Sequence, residues 1–136
     1  MNTAAKEGFY LHHARLDYVL MILWMDSSVP CRMPAYASHY VGIGGCVIRL
    51  VEGVDDCELP FEVLLIKENR TTDARKWKFP GGFADPGEPL STAVMREVKE
   101  ETGVVAEFIG LINLREQLNF KYGATDFYFT SVLISD

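Results

Sequence analysis

Apolar positions along the chain follow two spacings. An unbroken apolar run or a period of two marks strands in YVLMILW from Tyr18 to Trp24, in YVGIGGCVIRLVEG from Tyr40 and in FEVLLIKEN from Phe61. VVAEFIGLINLREQLN and TDFYFTSVLIS are strand-rich as well, and in the second Phe127 and Phe129 alternate with Asp126, Tyr128 and Thr130. Helical spacing is confined to PLSTAVMREVKEETG, Pro89 to Gly103. Pro89 suits the first turn, Glu88 places negative charge at the positive end of the helix dipole, and Gly103 marks the stop. DSSVPCRMPAYASH reads as a loop, EGVDDCELP as an acidic turn, and TTDARKWKFPGGFADPGE as a basic then glycine-rich loop entering the helix. Strands on both sides of a helix predict a mixed α/β domain.

The helix contains a contradiction. At about 100° per residue, Leu90, Ala93, Val94 and Val98 gather on one side, and Glu97 and Glu101 fall within about 20° of Leu90 on that same side. Thr92, Met95 and Lys99 are expected on the solvent side. Two carboxylates about 5 Å apart repel by ~3 kcal/mol at an effective dielectric of 20, and partial burial without partners costs more. Arg96 reaches Glu100 at i+4 but cannot neutralise three acids alone. A hard divalent cation resolves the conflict, because Mg²⁺ takes one or two carboxylates and keeps its other positions for water or phosphate oxygens. Acids, metal and open ligand positions together point to phosphoryl transfer or hydrolysis.

Composition narrows the setting. A chain of 136 residues with 49% hydrophobic and 24% charged residues is expected to form one core-bearing domain. The net charge of -6 argues against a broad nucleic-acid face, so long nucleic acid is not an expected partner and any phosphate must be met locally. No apolar run approaches the ~20 residues that a membrane helix requires, and a cytoplasmic, intracellular setting is expected.

Other chemistry-bearing residues have plainer readings. Cys31, Cys46 and Cys57 are odd in number and widely spaced, which suits neither a zinc site nor a disulfide framework. The tripeptide NRT, Asn69 to Thr71, fits a glycosylation acceptor but reads as ordinary loop. His12 and His13 are adjacent, so their side chains are expected to diverge as structural or surface histidines; His39 has the same reading. Gly42, Gly44 and Gly45 lie within strand-like sequence with no helix after them, which favours a bulge or close backbone approach over a phosphate cradle. Trp77 and Phe79 could stack on a base or anchor their loop to the core. Arg70, Arg75, Lys76 and Lys78 could meet phosphates, with solvated charge as the default. Arg115, Glu116 and Asp126 are further candidates for substrate contact or a second acid.

From Gly82 to Val104, GFADPGEPLSTAVMREVKEETGV matches the pattern G-x5-E-x7-R-E-U-x-E-E-x-G-U, with U an apolar residue, at every defined position. The chain thereby resembles the Nudix hydrolases, metal-dependent enzymes that cleave a nucleoside diphosphate linked to another moiety. The resemblance implies an α/β/α sandwich around a mixed β-sheet, with Mg²⁺ or Mn²⁺ as cofactor and a small nucleotide as substrate. It implies Glu97, Glu100 and Glu101 as metal ligands, joined by the carbonyl of Gly81. Arg96 would orient the glutamates, Glu88 would brace loop and helix, and Gly82 and Gly103 would support the loop and the helix end. Glu97 is the expected base toward the attacking water. A non-catalytic nucleotide-binding or regulatory domain is the alternative.

A looser likeness, carried by EGFYLHHARLDYVLMILWM, ASHYVGIGG, KWKFPGG and LREQ...TDFYF, points to one branch of that family. It contains the antisense protein of basic fibroblast growth factor and plant enzymes acting on ADP-ribose and NADH, so either compound is the expected substrate. Arg115, Trp77 and Phe79 are the expected substrate contacts. Where the branch often carries a histidine a few residues after the arginine, this chain has Leu118. Its members have more chain at both ends. Residues 1–38 are therefore expected to be the remnant of a longer N-terminal domain, and residues 39–136 a hydrolase domain lacking a terminal helix. An uncovered apolar sheet face would then favour a homodimer.

Overall fold

The computed structural model describes residues 2–51, 60–67 and 76–136. Cys57, Arg70, Arg75, the tripeptide from Asn69 and nearly all of the acidic turn lie outside the described residues. The chain divides into two compact units, Met1–Ser38 and His39–Asp136.

The first unit holds a short helix α1 (Asn2–Lys6) and a hairpin of β1 (Tyr10–Ala14) with β2 (Val19–Ile22). The expected strand over Tyr18–Trp24 is thus present as β2, but α1 and β1 carry too few periodic positions to stand out in the sequence. The expected divergence of His12 and His13 is overturned. A register shift between Leu11 and His13 breaks the alternation, and the two Nδ1 atoms lie 2.7 Å apart. The His12 Nε2 sits 2.8 Å from the Pro34 carbonyl, and the His13 ring stacks on Tyr36 at 4.2 Å.

In the second unit the central strand is β3 (His39–Leu50). On one side it pairs in parallel with β9 (Ala124–Ile134), which pairs antiparallel with β8 (Glu107–Lys121). On its other side it carries β4 (Phe61–Val63) near one end and β7 (Gly81–Phe83) near the other, both antiparallel. The sheet is therefore mixed, as expected for the α/β class. FEVLLIKEN forms two short strands instead of one, because β4 pairs with β3 while β5 (Ile66–Lys67) pairs with β6 (Trp77–Lys78). Between them the Leu64 N–H bonds to the Val47 carbonyl at 3.0 Å.

Helix α2 (Leu90–Thr102) runs between Pro89 and a left-handed Gly103 at φ 76°, whose N–H caps the Lys99 carbonyl. It packs Ala93, Val94 and Val98 on Ile43, Val47, Ala106 and Leu133 of the sheet layer, all buried. Each fully buried Val or Leu there contributes roughly 1.5–3 kcal/mol. Met95, expected on the solvent side, is half-buried against this cluster, its long flexible side chain filling the rim. The glycines of β3 make a close approach and no bulge: pairing with β9 is continuous from His39 to Ile48, and a Cβ on Gly45 would come within 2.9 Å of Val98.

Pairing and alternation sort the two sheet faces. Ile43, Gly45, Val47, Phe129 and Leu133 meet α2, so Gly42, Gly44, Asp126 and Tyr128 belong to the opposite face. The β8–β9 turn has positive φ at both Tyr122 (52°) and Gly123 (75°), the requirement of a tight two-residue hairpin. Asn119, at φ 54°, sits in the register shift between Gln117 and Lys121, and just beyond it Phe120 comes within 6.2 Å of both Tyr40 and Phe83.

Candidate active site

The glutamates of α2 are organised around one guanidinium. Arg96 donates from Nε to Glu88 Oε1 at 3.0 Å and from Nη2 to Glu88 Oε2 at 2.9 Å, a two-pronged pair across the loop and helix. Its Nη1 reaches Glu97 Oε1 at 2.8 Å and Glu100 Oε2 at 3.3 Å, and Nη2 also reaches the Phe83 carbonyl at 3.1 Å. Glu88 further accepts the Asp85 N–H at 3.0 Å. Hydrogen bonds from Arg96 and Asp85 hold the Glu88 carboxyl down at about 2, and the same acids push the Arg96 guanidinium up.

Glu101 lies outside this cluster. Its Oε2 accepts the Gly81 N–H at 2.7 Å, tying the helix to β7. Next along β7, Gly82 leaves room that Glu97 uses, since a Cβ there would lie 2.6 Å from the Glu97 carboxylate. Side-chain size at position 82 is thereby restricted.

The structure thus brings Gly81, Gly82, Glu88, Arg96, Glu97, Glu100 and Glu101 into one region and caps the helix with Gly103. Among the described residues, no three His, Cys, Asp or Glu side chains converge closely enough to hold an ion. Glu97 and Glu100 turn to Arg96, and Glu101 to the Gly81 N–H. The donor type present, carboxylate oxygen, is nevertheless the one a hard divalent cation takes. No soft thiolate stands in the set. Free Cys31 is exposed, and burial pushes the Cys46 thiol up.

Beside these glutamates opens a cleft of about 660 Å³ whose walls include Trp77, Phe83, Phe120, Arg115, Asp126 and Tyr128. Gly81 and Gly82 belong to the same wall, and Glu101 acts electrostatically on Tyr128. Trp77 is 62% exposed with the Lys67 ammonium 4.9 Å from its ring centre, so it does not anchor its loop to the core. Phe79 and Lys78 line the cleft too, and Lys121 lies 5.1 Å from the Phe83 ring and 5.2 Å from the Phe120 ring. Burial pushes the Tyr128 phenol up, with Lys78 and Arg115 opposing. Phe83, Phe120, Lys121 and Tyr128 were not singled out from the sequence. The alternation Asp126, Tyr128 was the available signal for the last; the others depend on strand pairing.

A smaller cavity of about 220 Å³, lined by Val47, Arg49, Glu62 and Leu64 among others, lies at the far end of β3 and contains none of Glu88, Glu97, Glu100 and Glu101. Among the described residues no helix is long and apolar enough to cross a membrane.

Comparison with known proteins gives a consistent identification. A model of the NUDIX domain matches residues 50–135. The nucleoside diphosphate-linked moiety X motif 6 protein of Xenopus laevis is 38% identical over 131 residues, 94% of this chain and 55% of that protein. Nudix hydrolase 8 of Arabidopsis thaliana is 37% identical over 132 residues, 96% of this chain and 33% of that protein. Nudix hydrolase 2 of the same plant is 38% identical over 133 residues, 96% of this chain and 44% of that protein. The chain spans about half the length, or less, of these curated relatives. Among solved structures, a Nudix hydrolase from Nitrosomonas europaea superimposes with a TM-score of 0.54 at 25% identity, over 71% of this chain and 59% of that one. A MutT/nudix family protein from Enterococcus faecalis gives 0.59 at 22% identity, over 76% and 39%, a likeness of fold.

Proposed function

The chain belongs to the Nudix family, and we propose that its domain hydrolyses the pyrophosphate of a nucleoside diphosphate linked to a second moiety, with ADP-ribose or NADH as substrate. The observation that supports this most is the juxtaposition of an Arg96-organised set of glutamates with a cleft lined by aromatic rings and cations. Flat rings of a dinucleotide suit the aromatic walls, and its phosphates suit Arg115, Lys78 and Lys121.

In this reading Glu97, Glu100 and Glu101, with the carbonyl of Gly81, hold Mg²⁺ or Mn²⁺. Such an ion supplies Lewis acidity toward the pyrophosphate oxygens and toward water. Glu97 accepts a proton from the attacking water as the water oxygen bonds to one phosphorus, the bridging P–O bond to that phosphorus breaks, and the second phosphate leaves with the bridging oxygen. Arg96 orients Glu97 and Glu100 through Nη1, and Glu88 fixes Arg96 through the paired contact on Nε and Nη2. Trp77, Phe79 and Arg115 contact the substrate. Gly82 gives Glu97 its seat, and Gly103 ends the helix so that Glu100 and Glu101 stay on its last turn.

A homodimer is part of the same proposal, because β8 is an edge strand that exposes Ile109, Leu111, Ile112 and Leu114. Light scattering that gives a monomer at every concentration removes it. The hydrolase reading is tested by a Mg²⁺-dependent screen of nucleoside diphosphate derivatives, with wild type and Glu100→Gln side by side. Cleavage at the pyrophosphate by wild type and its loss in Glu100→Gln are expected. No product from any compound leaves a non-catalytic nucleotide-binding domain, and equal turnover by the variant overturns the assignment of Glu100 to the catalytic set.

A further inference from the structure

On β9, Asp126 is 2% exposed and its Oδ1 has no hydrogen-bond partner among the described residues. Among the described residues Arg115 Nη2 stands 4.0 Å from Oδ2, beyond hydrogen-bond range, while the Arg115 guanidinium lies 5.3 Å from the Tyr128 ring centre and is largely in solvent. Natural proteins rarely leave a buried acceptor without a donor, and an ionised carboxylate accepts only. The same residue forms part of the cleft wall between Arg115, Phe120 and Tyr128. A donor brought by whatever fills the cleft would complete this carboxylate. Phosphate oxygens and carbonyl groups are excluded from that role, since they too are acceptors.

The cleft indicates which donor. Ring faces of Trp77, Phe83, Phe120 and Tyr128 favour a flat heterocycle, and a flat heterocycle offers its donors as ring or exocyclic N–H groups at its edge. We propose that Asp126 is a specificity-determining residue whose carboxylate accepts a hydrogen bond from an N–H donor, an exocyclic amine or a carboxamide, on the flat ring of the substrate. The proposal rests on the hydrolase reading for its substrate class but places the discrimination on the strand wall, away from the glutamates. Arg115 positions the carboxylate from the solvent side.

The test is a binding cycle carried out in EDTA, so that no turnover is required. Calorimetry compares ADP-ribose with the analogue whose purine lacks the 6-amine, and NADH with its reduced 3-acetylpyridine analogue, which keeps the carbonyl but lacks the amide N–H. Wild type is expected to lose about 10- to 100-fold in affinity when the donor is removed from one of the two rings, the range of a charge-assisted hydrogen bond. The ring that shows the loss identifies the donor. Asp126→Ala is expected to bind both members of that pair alike, and Asp126→Asn to restore part of the preference, which also guards against misfolding of the alanine variant. Equal affinity of wild type for both members of both pairs, or a preference unchanged in Asp126→Ala, overturns the assignment. Absence of hydrolysis with an intact Asp126-dependent preference would instead count against the enzyme and leave this assignment standing.

Discussion

Arg96 on α2 and Asp126 on β9 border the same region of the molecule and differ in how completely their neighbours satisfy them. Arg96 makes five hydrogen bonds, four to glutamates and one to the Phe83 carbonyl. Asp126 is buried more deeply, and among the described residues Arg115 Nη2 stands 4.0 Å from its Oδ2. The first arrangement is complete within the fold and fixes where carboxylates stand. The second is incomplete and waits on a donor from outside. A charged group that is closed on itself builds a site, whereas one left open reads what enters it.

Substitutions break this contrast in order of expected size. Glu97→Gln keeps the hydrogen bond to Arg96 but removes the charge and the base, and kcat is expected to fall about 10²- to 10⁴-fold. Steady-state assays on a cleaved substrate check this, with circular dichroism to show that the fold is unchanged. Arg96→Lys keeps a positive charge but loses the two-pronged geometry, and activity should fall about 10- to 100-fold, the range for residues that orient ligands from behind. Its unfolding midpoint should drop as well, because Glu88 and Glu97 lose donors while still half-buried.

The next change is a matter of pH. The Glu88 carboxyl is held down at about 2 in the folded protein, below its ordinary value, so its contribution to stability is fully present above the unfolded-state pKa of ~4.3. That contribution is lost as pH falls from there through about 2. Glu88→Gln should flatten this acid limb and show its full, pH-independent loss in the neutral region, measured by denaturant unfolding at a series of pH values. The smallest effect belongs to Asp126→Asn. With its partner missing in the free protein, the carboxylate adds little, and stability should change by less than about 1 kcal/mol or rise. A large loss there would mean that Asp126 is satisfied within the fold and would erase the comparison.

The two regions were also unequally legible in the sequence. Glu97 and Glu101 stood out because a helix has a period that one segment reveals, and a carboxylate on the apolar side violates it within fifteen residues. The box from Gly82 to Val104 then named the same residues by spacing. Asp126 was visible only as one member of an alternation, since β9 gains meaning from pairing with Tyr40 and Gln117, far away along the chain. Phe83 and Phe120 meet across strands for the same reason. Position 12 shows the limit at its most local: alternation predicts that adjacent histidines diverge, and one register shift in β1 brings them to 2.7 Å. Met95 was misplaced by a helical wheel because a wheel has no side-chain length.

In the hydrolase reading the carboxylates on the edge of α2 act together on a divalent cation. That joint action is tested most directly by titrating Mn²⁺ into the full chain, free of nucleotide, and following the free ion by electron paramagnetic resonance. Wild type should bind Mn²⁺, and Glu97→Gln, Glu100→Gln and Glu101→Gln should each bind it at least about tenfold more weakly. Equal binding by wild type and all three variants, or no binding by wild type, would mean that these carboxylates do not hold the cation.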